Sequence, residues 1–180
     1  NTLFTQAAIT IAGGNTLTTS ANSITQNVIM SGTSTGLNLS AAVSKTAGIF
    51  TVGAATTLTL GGAFTNTAGN FNVNGSTAFA QDFTMTAGDF TLAASKTLTL
   101  TGGTLFIEST AGTITTTATS IIDCNGGDLK IAKAITLLSA ITFTSATTFD
   151  VDANITCSGA FTVNANVKFD IANSITLTKT

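Results

Sequence analysis

Phe149-Asp150-Val151-Asp152-Ala153-Asn154-Ile155-Thr156 returns 20 residues later as Phe169-Asp170-Ile171-Ala172-Asn173-Ser174-Ile175-Thr176. One step earlier, Leu129-Lys130-Ile131-Ala132-Lys133-Ala134-Ile135-Thr136 fits the same frame. Copies at a fixed offset with no gap between them mark a stack of one supersecondary unit, in which each repeat touches its neighbours. Such a chain offers a long surface and two ends rather than a pocket.

Looser copies run toward the N-terminus. They are Val43-Ser44-Lys45-Thr46-Ala47-Gly48-Ile49-Phe50-Thr51, Phe64-Thr65-Asn66-Thr67-Ala68-Gly69-Asn70-Phe71-Asn72, Phe83-Thr84-Met85-Thr86-Ala87-Gly88-Asp89-Phe90-Thr91 and Ile107-Glu108-Ser109-Thr110-Ala111-Gly112-Thr113-Ile114-Thr115. Each closes on an aromatic or branched apolar residue followed by a small polar one. Ser20-Ala21-Asn22-Ser23-Ile24-Thr25 is close to the segment ending at Thr176, and Gln6-Ala7-Ala8-Ile9-Thr10 is a partial first copy. The closing positions are then Thr10, Thr25, Thr51, Asn72, Thr91, Thr115, Thr136, Thr156 and Thr176. They imply roughly eight turns.

Within a copy the alternation is short. Ile49-Phe50-Thr51-Val52, Thr57-Leu58-Thr59-Leu60 and Ala63-Phe64-Thr65 have the period of two that marks a half-buried strand. Gly, Asn and Ser separate these pieces and tolerate sharp corners. Three short strands and three corners in about 20 residues predict an all-β protein, one β-solenoid domain over residues 1–180 with about eight coils and no linker. A β-sandwich also alternates, but it does not require a 20-residue repeat. In the solenoid Phe149 stacks on Phe169, and Ile135, Ile155 and Ile175 form an inward column. The absence of Pro agrees, because Pro would remove a ladder hydrogen bond.

Composition narrows the function. The chain is 43% hydrophobic, 8% charged and of net charge -2, with no His, Trp, Tyr or Pro and about 40 Thr. No basic patch suggests nucleic acid, and no apolar run is long enough for a membrane-spanning helix. The chain starts at Asn1 rather than Met, which suggests a processed or excised segment. Without His, a nucleophilic Ser or Thr lacks the usual base. Ser44-Lys45 and Ser95-Lys96 read as corner residues, and the Gly pairs match no phosphate-binding pattern. Asp150, Asp152 and Asp170 could resemble a carboxylate cluster for Ca²⁺ or sugar cleavage. The simpler reading is a cross-coil pair between Lys130 and Asp150. Cys124 and Cys157 fall at different phases of the repeat and are read as small buried residues, with an intersubunit bridge as the alternative. No catalytic residue, metal site or cofactor is expected.

The T-x-T stretches Thr16-Leu17-Thr18, Thr57-Leu58-Thr59, Thr97-Leu98-Thr99, Thr142-Phe143-Thr144 and Thr176-Leu177-Thr178 would resemble the arrays of ice-binding solenoids if they shared one face. An apolar-in, Thr-out strand gives the same pattern, and Thr176 and Thr57 occupy different phases. The Asn-x-Ser/Thr matches at Asn38, Asn74 and Asn154 are expected by chance in so Asn- and Thr-rich a chain.

Segments such as Phe50-Thr51-Val52, Thr57-Leu58-Thr59-Leu60 and Ala87-Gly88-Asp89-Phe90-Thr91-Leu92 resemble the repeats of large bacterial surface β-solenoids, the filamentous-haemagglutinin-like adhesins and autotransporter passengers. The resemblance covers nearly the whole chain and is compositional. It implies an extracellular or cell-surface location and a structural or adhesive role. No functional residues carry over.

No cap is evident at Asn1-Thr2-Leu3-Phe4-Thr5 or at Ile175-Thr176-Leu177-Thr178-Lys179-Thr180, and open ends template further pairing. Either the chain is a window of a longer repeat protein, or the ends pair between subunits; the expected partner is a second copy, joined head-to-tail into a filament or surface layer. Phe4, Ile9, Ile175 and Leu177 are the expected interface residues. The alternatives are an adhesin stalk or a binding module that meets a surface glycan or ice through a lateral face. A polysaccharide-active enzyme ranks below these.

Overall fold

A computed structural model describes residues 8–20, 22–33 and 35–180. Every regular element among them is a β-strand. The first coil holds β1 (Ala8–Ala12), β2 (Thr16–Thr19) and β3 (Ser23–Ile24). The second holds β4 (Asn27–Ser31), β5 (Thr35–Leu39) and β6 (Val43–Lys45), and the third β7 (Phe50–Val52), β8 (Thr56–Leu60) and β9 (Phe64–Asn66). The fourth holds β10 (Phe71–Val73), β11 (Thr77–Phe79) and β12 (Phe83–Met85), and the fifth β13 (Phe90–Leu92), β14 (Thr97–Leu100) and β15 (Thr104–Ile107). The sixth holds β16 (Ile114–Thr115), β17 (Ile121–Cys124) and β18 (Asp128–Ile131). The seventh holds β19 (Ile135–Leu137), β20 (Ala140–Phe143) and β21 (Thr147–Val151). The eighth holds β22 (Ile155–Cys157), β23 (Phe161–Val163) and β24 (Val167–Ile171), and β25 (Leu177–Lys179) follows.

Every third strand pairs in parallel, so the coil has three faces, and the protein is a β-solenoid of about eight turns. The third face is one continuous ladder from β3 to β24. The second is divided between β8 and β11, and the first between β16 and β19. The offset between paired residues ranges from 19 for Ala8 and Asn27 to 24 for Phe90 and Ile114. Corners absorb this variation and leave the strands in register.

The sequence alternates because the two sides of each strand face different media. Inward side chains stack into columns. On the third face Val43, Phe64, Phe83, Leu105, Leu129, Phe149 and Phe169 form one column. Phe64 and Phe83 lie 5.0 Å apart and nearly parallel, as do Phe50 and Phe71 on the first face. The expected pairing of Phe149 with Phe169 is present, edge-on at 6.1 Å.

The marker column of the first face runs Thr10, Ile29, Thr51, Asn72, Thr91 and Thr115, and then Thr136, Thr156 and Thr178. Two sequence expectations are thereby corrected. Ile29 takes the rung assigned to Thr25, and Thr178 the rung assigned to Thr176. The inward column is accordingly Ile135, Ile155 and Leu177, and Ile175 is outside it. The last corner holds two extra residues: Ser174 adopts a φ of 65°, and the Ile175 amide donates to the Ala172 carbonyl. A two-residue slip preserves the inside-outside alternation, so the pattern alone does not register it.

Candidate assembly surface

Side chains of the eighth coil sit in core register above buried partners. Phe169 stacks over Phe149 and Ile171 over Val151, and both lower residues are 0% exposed. Phe169 is 41% exposed and Ile171 42%. Val163, over the buried Phe143, is 47% exposed. Phe161 and Val167 are half-buried against the core. The identity of these residues is that of a core. Their exposure arises because no described β layer lies above them.

The expected interface residues divide unevenly. Phe4 lies outside the described residues. Ile9 is half-buried on β1, paired with Val28 at the other end of the first face. Leu177 is half-buried on β25 above Ile155. Ile175 is half-buried in the corner before β25 and pairs with no strand of the coil below. Sequence reading missed Phe161, Val163, Phe169 and Ile171 as interface residues. The signal was available, since each is the inward residue of the last full coil.

Beside Leu177 a recess of about 320 Å³ is lined by Cys157, Phe161, Leu177, Thr178 and Lys179. Lys179 stands above Cys157 in what is otherwise an inward column, and its ammonium donates to the Thr180 carbonyl. A Lys here places one charge on an apolar end. Its stem can cover the recess while the ammonium reaches water.

The carboxylates are accounted for by their neighbours. Lys130 bonds Asp150 at 2.6 Å and Asp152 at 3.0 Å, as the cross-coil reading expects, and Lys168 bonds Asp170 at 2.7 Å. Hydrogen bonds to Asp150 and Asp152 raise the Lys130 pKa. Among the described residues no three of His, Cys, Asp and Glu gather as a metal site. Cys124 and Cys157 are free and buried. Burial, with Asp123 and Asp128 nearby, pushes the Cys124 thiol up to about 12, which suppresses its nucleophilic form. None of the helices needed to cross a membrane is found among the described residues.

Four of the five T-x-T stretches lie on the second face, and Thr176-Leu177-Thr178 belongs to the first. On the second face one outward column runs Thr18, Asn38 and Thr59, and another Ala78, Thr99, Asp123, Thr142 and Thr162. Asn38, Ala78 and Asp123 interrupt any regular Thr lattice.

These features define the chain as a β-solenoid repeat protein. Comparison with protein-family models, curated proteins and solved structures finds no match.

Proposed function

We propose that this solenoid is an extracellular structural protein that assembles end to end, a second copy supplying the β layer above the eighth coil. The observation that carries the reading is the set of exposed side chains in core register, Val163, Phe169 and Ile171, beside the half-buried Leu177. Stacking another coil there would bury them and extend the ladders of β23, β24 and β25. A heterologous contact of this kind does not close on itself and yields a filament. The compositional likeness to surface adhesins and autotransporter passengers supports the extracellular assignment. Leu177→Lys should leave the rod folded, by circular dichroism, and raise the concentration at which filaments appear by roughly tenfold or more. Unchanged assembly in that variant would overturn the role of this end.

A second reading, a binding module that uses a lateral face, is favoured by one feature. A trough of about 480 Å³ on the second face is walled by Thr57, Thr59, Thr97 and Thr99, with Ala78 between them. Before Asp82 the one charged residue is the buried Lys45, so this half of the rod suits a neutral polyhydroxylated partner. A glycan array bearing neutral linear oligosaccharides tests it, and no retained glycan would discard it.

A further inference from the structure

We infer that the rod is jointed, with two seams at which one face opens while the other two remain zipped. The inference does not depend on end-to-end assembly. The first seam lies on the second face between β8 and β11, which belong to separate hydrogen-bonded ladders. In the same step the first and third faces are continuous, through the pairs β7–β10 and β9–β12. The second seam lies on the first face between β16 and β19, while β17–β20 and β18–β21 hold the other faces. Two paired faces act as the hinge, and the third, which has no backbone ladder, opens more readily.

Three of the four unpartnered buried side-chain atoms fall at the same places, and the fourth, on Asn66, lies on the unbroken third face. Four buried side-chain atoms of the described residues have no hydrogen-bond partner: Asn66 Oδ1, Thr77 Oγ1, Thr117 Oγ1 and Ser139 Oγ. Thr77 is on β11, at the first seam. Thr117 and Ser139 follow β16 and β19, at the second. A buried polar atom without a partner favours conformations that admit water. At the second seam the Thr116 hydroxyl oxygen accepts from the Leu138 and Ser139 amides, at 2.9 and 3.1 Å, so a side chain substitutes for ladder carbonyls.

The joints divide the rod into coils one to three, four to six and seven onward. Because the seams are on different faces, the two joints bend in different directions. Such points let a long rod yield locally without losing its core, in the manner of low-stability units within a folded chain.

Paired spin labels on the second face test the first joint. Thr18 and Thr59 are two coils apart within one block, as are Ala78 and Asp123. Thr59 and Thr99 are two coils apart across the seam. Dipolar broadening should give one narrow distance of roughly 10 Å for both pairs within blocks. The pair across the seam should show a broader distribution extending to longer distances. Equal widths for all three would overturn the inference. Hydrogen exchange on the unlabelled protein gives a second reading, with β11 amides exchanging at least roughly tenfold faster than those of β12 in the same coil. Thr77→Val should slow the β11 amides, and equal protection of β11 and β12 would count against the joint.

Discussion

Lys45 is the residue whose environment departs most from its type. It faces inward on β6, fully buried, between Ile24 below and Asn66 above in the same column. Its ammonium donates to the Ala68 carbonyl at 2.6 Å, and the Asn66 amide donates to Ala87 and Gly69 carbonyls at 2.6 and 3.1 Å. Lys45 and Asn66 thus each bond a corner carbonyl of the coil above, Ala68 and Ala87, and Asn66 also bonds Gly69 in its own corner. Burial lowers the Lys45 pKa from 10.5 to about 8. Below pH 8 the amine is protonated in both folded and unfolded chains, and the burial cost is carried in full. Between pH 8 and 10.5 the folded chain has shed the proton and the unfolded chain has not, so stability rises with pH. The gain is about 3 kcal/mol at most. Cys124 acts in the opposite sense. Its folded pKa of about 12 lies above the ordinary 9.0, so its contribution declines as pH rises beyond 9. Urea unfolding at a series of pH values should show stability increasing from pH 8 to 9, levelling between 9 and 10.5 where the two groups offset each other, and falling above 10.5. Lys45→Met should abolish the increase, and a variant that kept it would refute the assignment to Lys45. Lys130 is a contrasting case. Its pair with Asp150 is about a third exposed, so Asp150→Asn should cost under about 1 kcal/mol in the same assay.

At the scale of the element, the corner decides more than the strand. The Thr-Ala-Gly corners of successive coils place Gly48, Gly69 and Gly88 one above another, all with positive φ. A Cβ on Gly88 would lie 1.9 Å from the Gly69 carbonyl oxygen, and one on Gly69 equally close to that of Gly48. Gly88→Ala should therefore destabilise by about 3 kcal/mol or more, through backbone displacement as well as strain at positive φ. A loss below 1 kcal/mol in chemical unfolding would show that the corner yields cheaply. Corners are also where sequence reading lost its place. The strands near Phe149 and Phe169 were legible because two coils carry the same length of chain. Around Thr25 and Ile175 the corners change length, and an alternating Thr-apolar pattern is identical after a slip of two or four residues. Ile29, an outward residue that breaks the Thr pattern, carries no signal of its rung. The seams were illegible for another reason. They depend on whether the facing backbone groups of neighbouring coils align to bond, and no residue type announces that.

For the whole molecule, the three-faced stack explains the composition. Nearly every strand lies between two others, so the chain uses Thr outward, Phe, Leu, Ile and Val inward, and no Pro. Eight coils at the spacing of adjacent strands make a rod roughly 40 Å long. Its ends differ from its sides, because a side is finished by outward Thr while the described end presents Phe169, Ile171 and Val163. The end was legible as a functional question from the repeat alone, and its composition was legible once the register was known. Substituting Phe169 by Lys places a charge where the next coil would pack. That variant should remain folded and assemble at least roughly tenfold less readily, measured by sedimentation across a concentration series. Assembly equal to that of the parent chain would exclude this end from the contact.

Negative-stain electron microscopy of the purified chain over a concentration series tests end-to-end assembly most directly. End-to-end stacking gives filaments of uniform width whose length grows with concentration and which Phe169→Lys shortens to single rods. Monodisperse rods roughly 40 Å long at every concentration would contradict it.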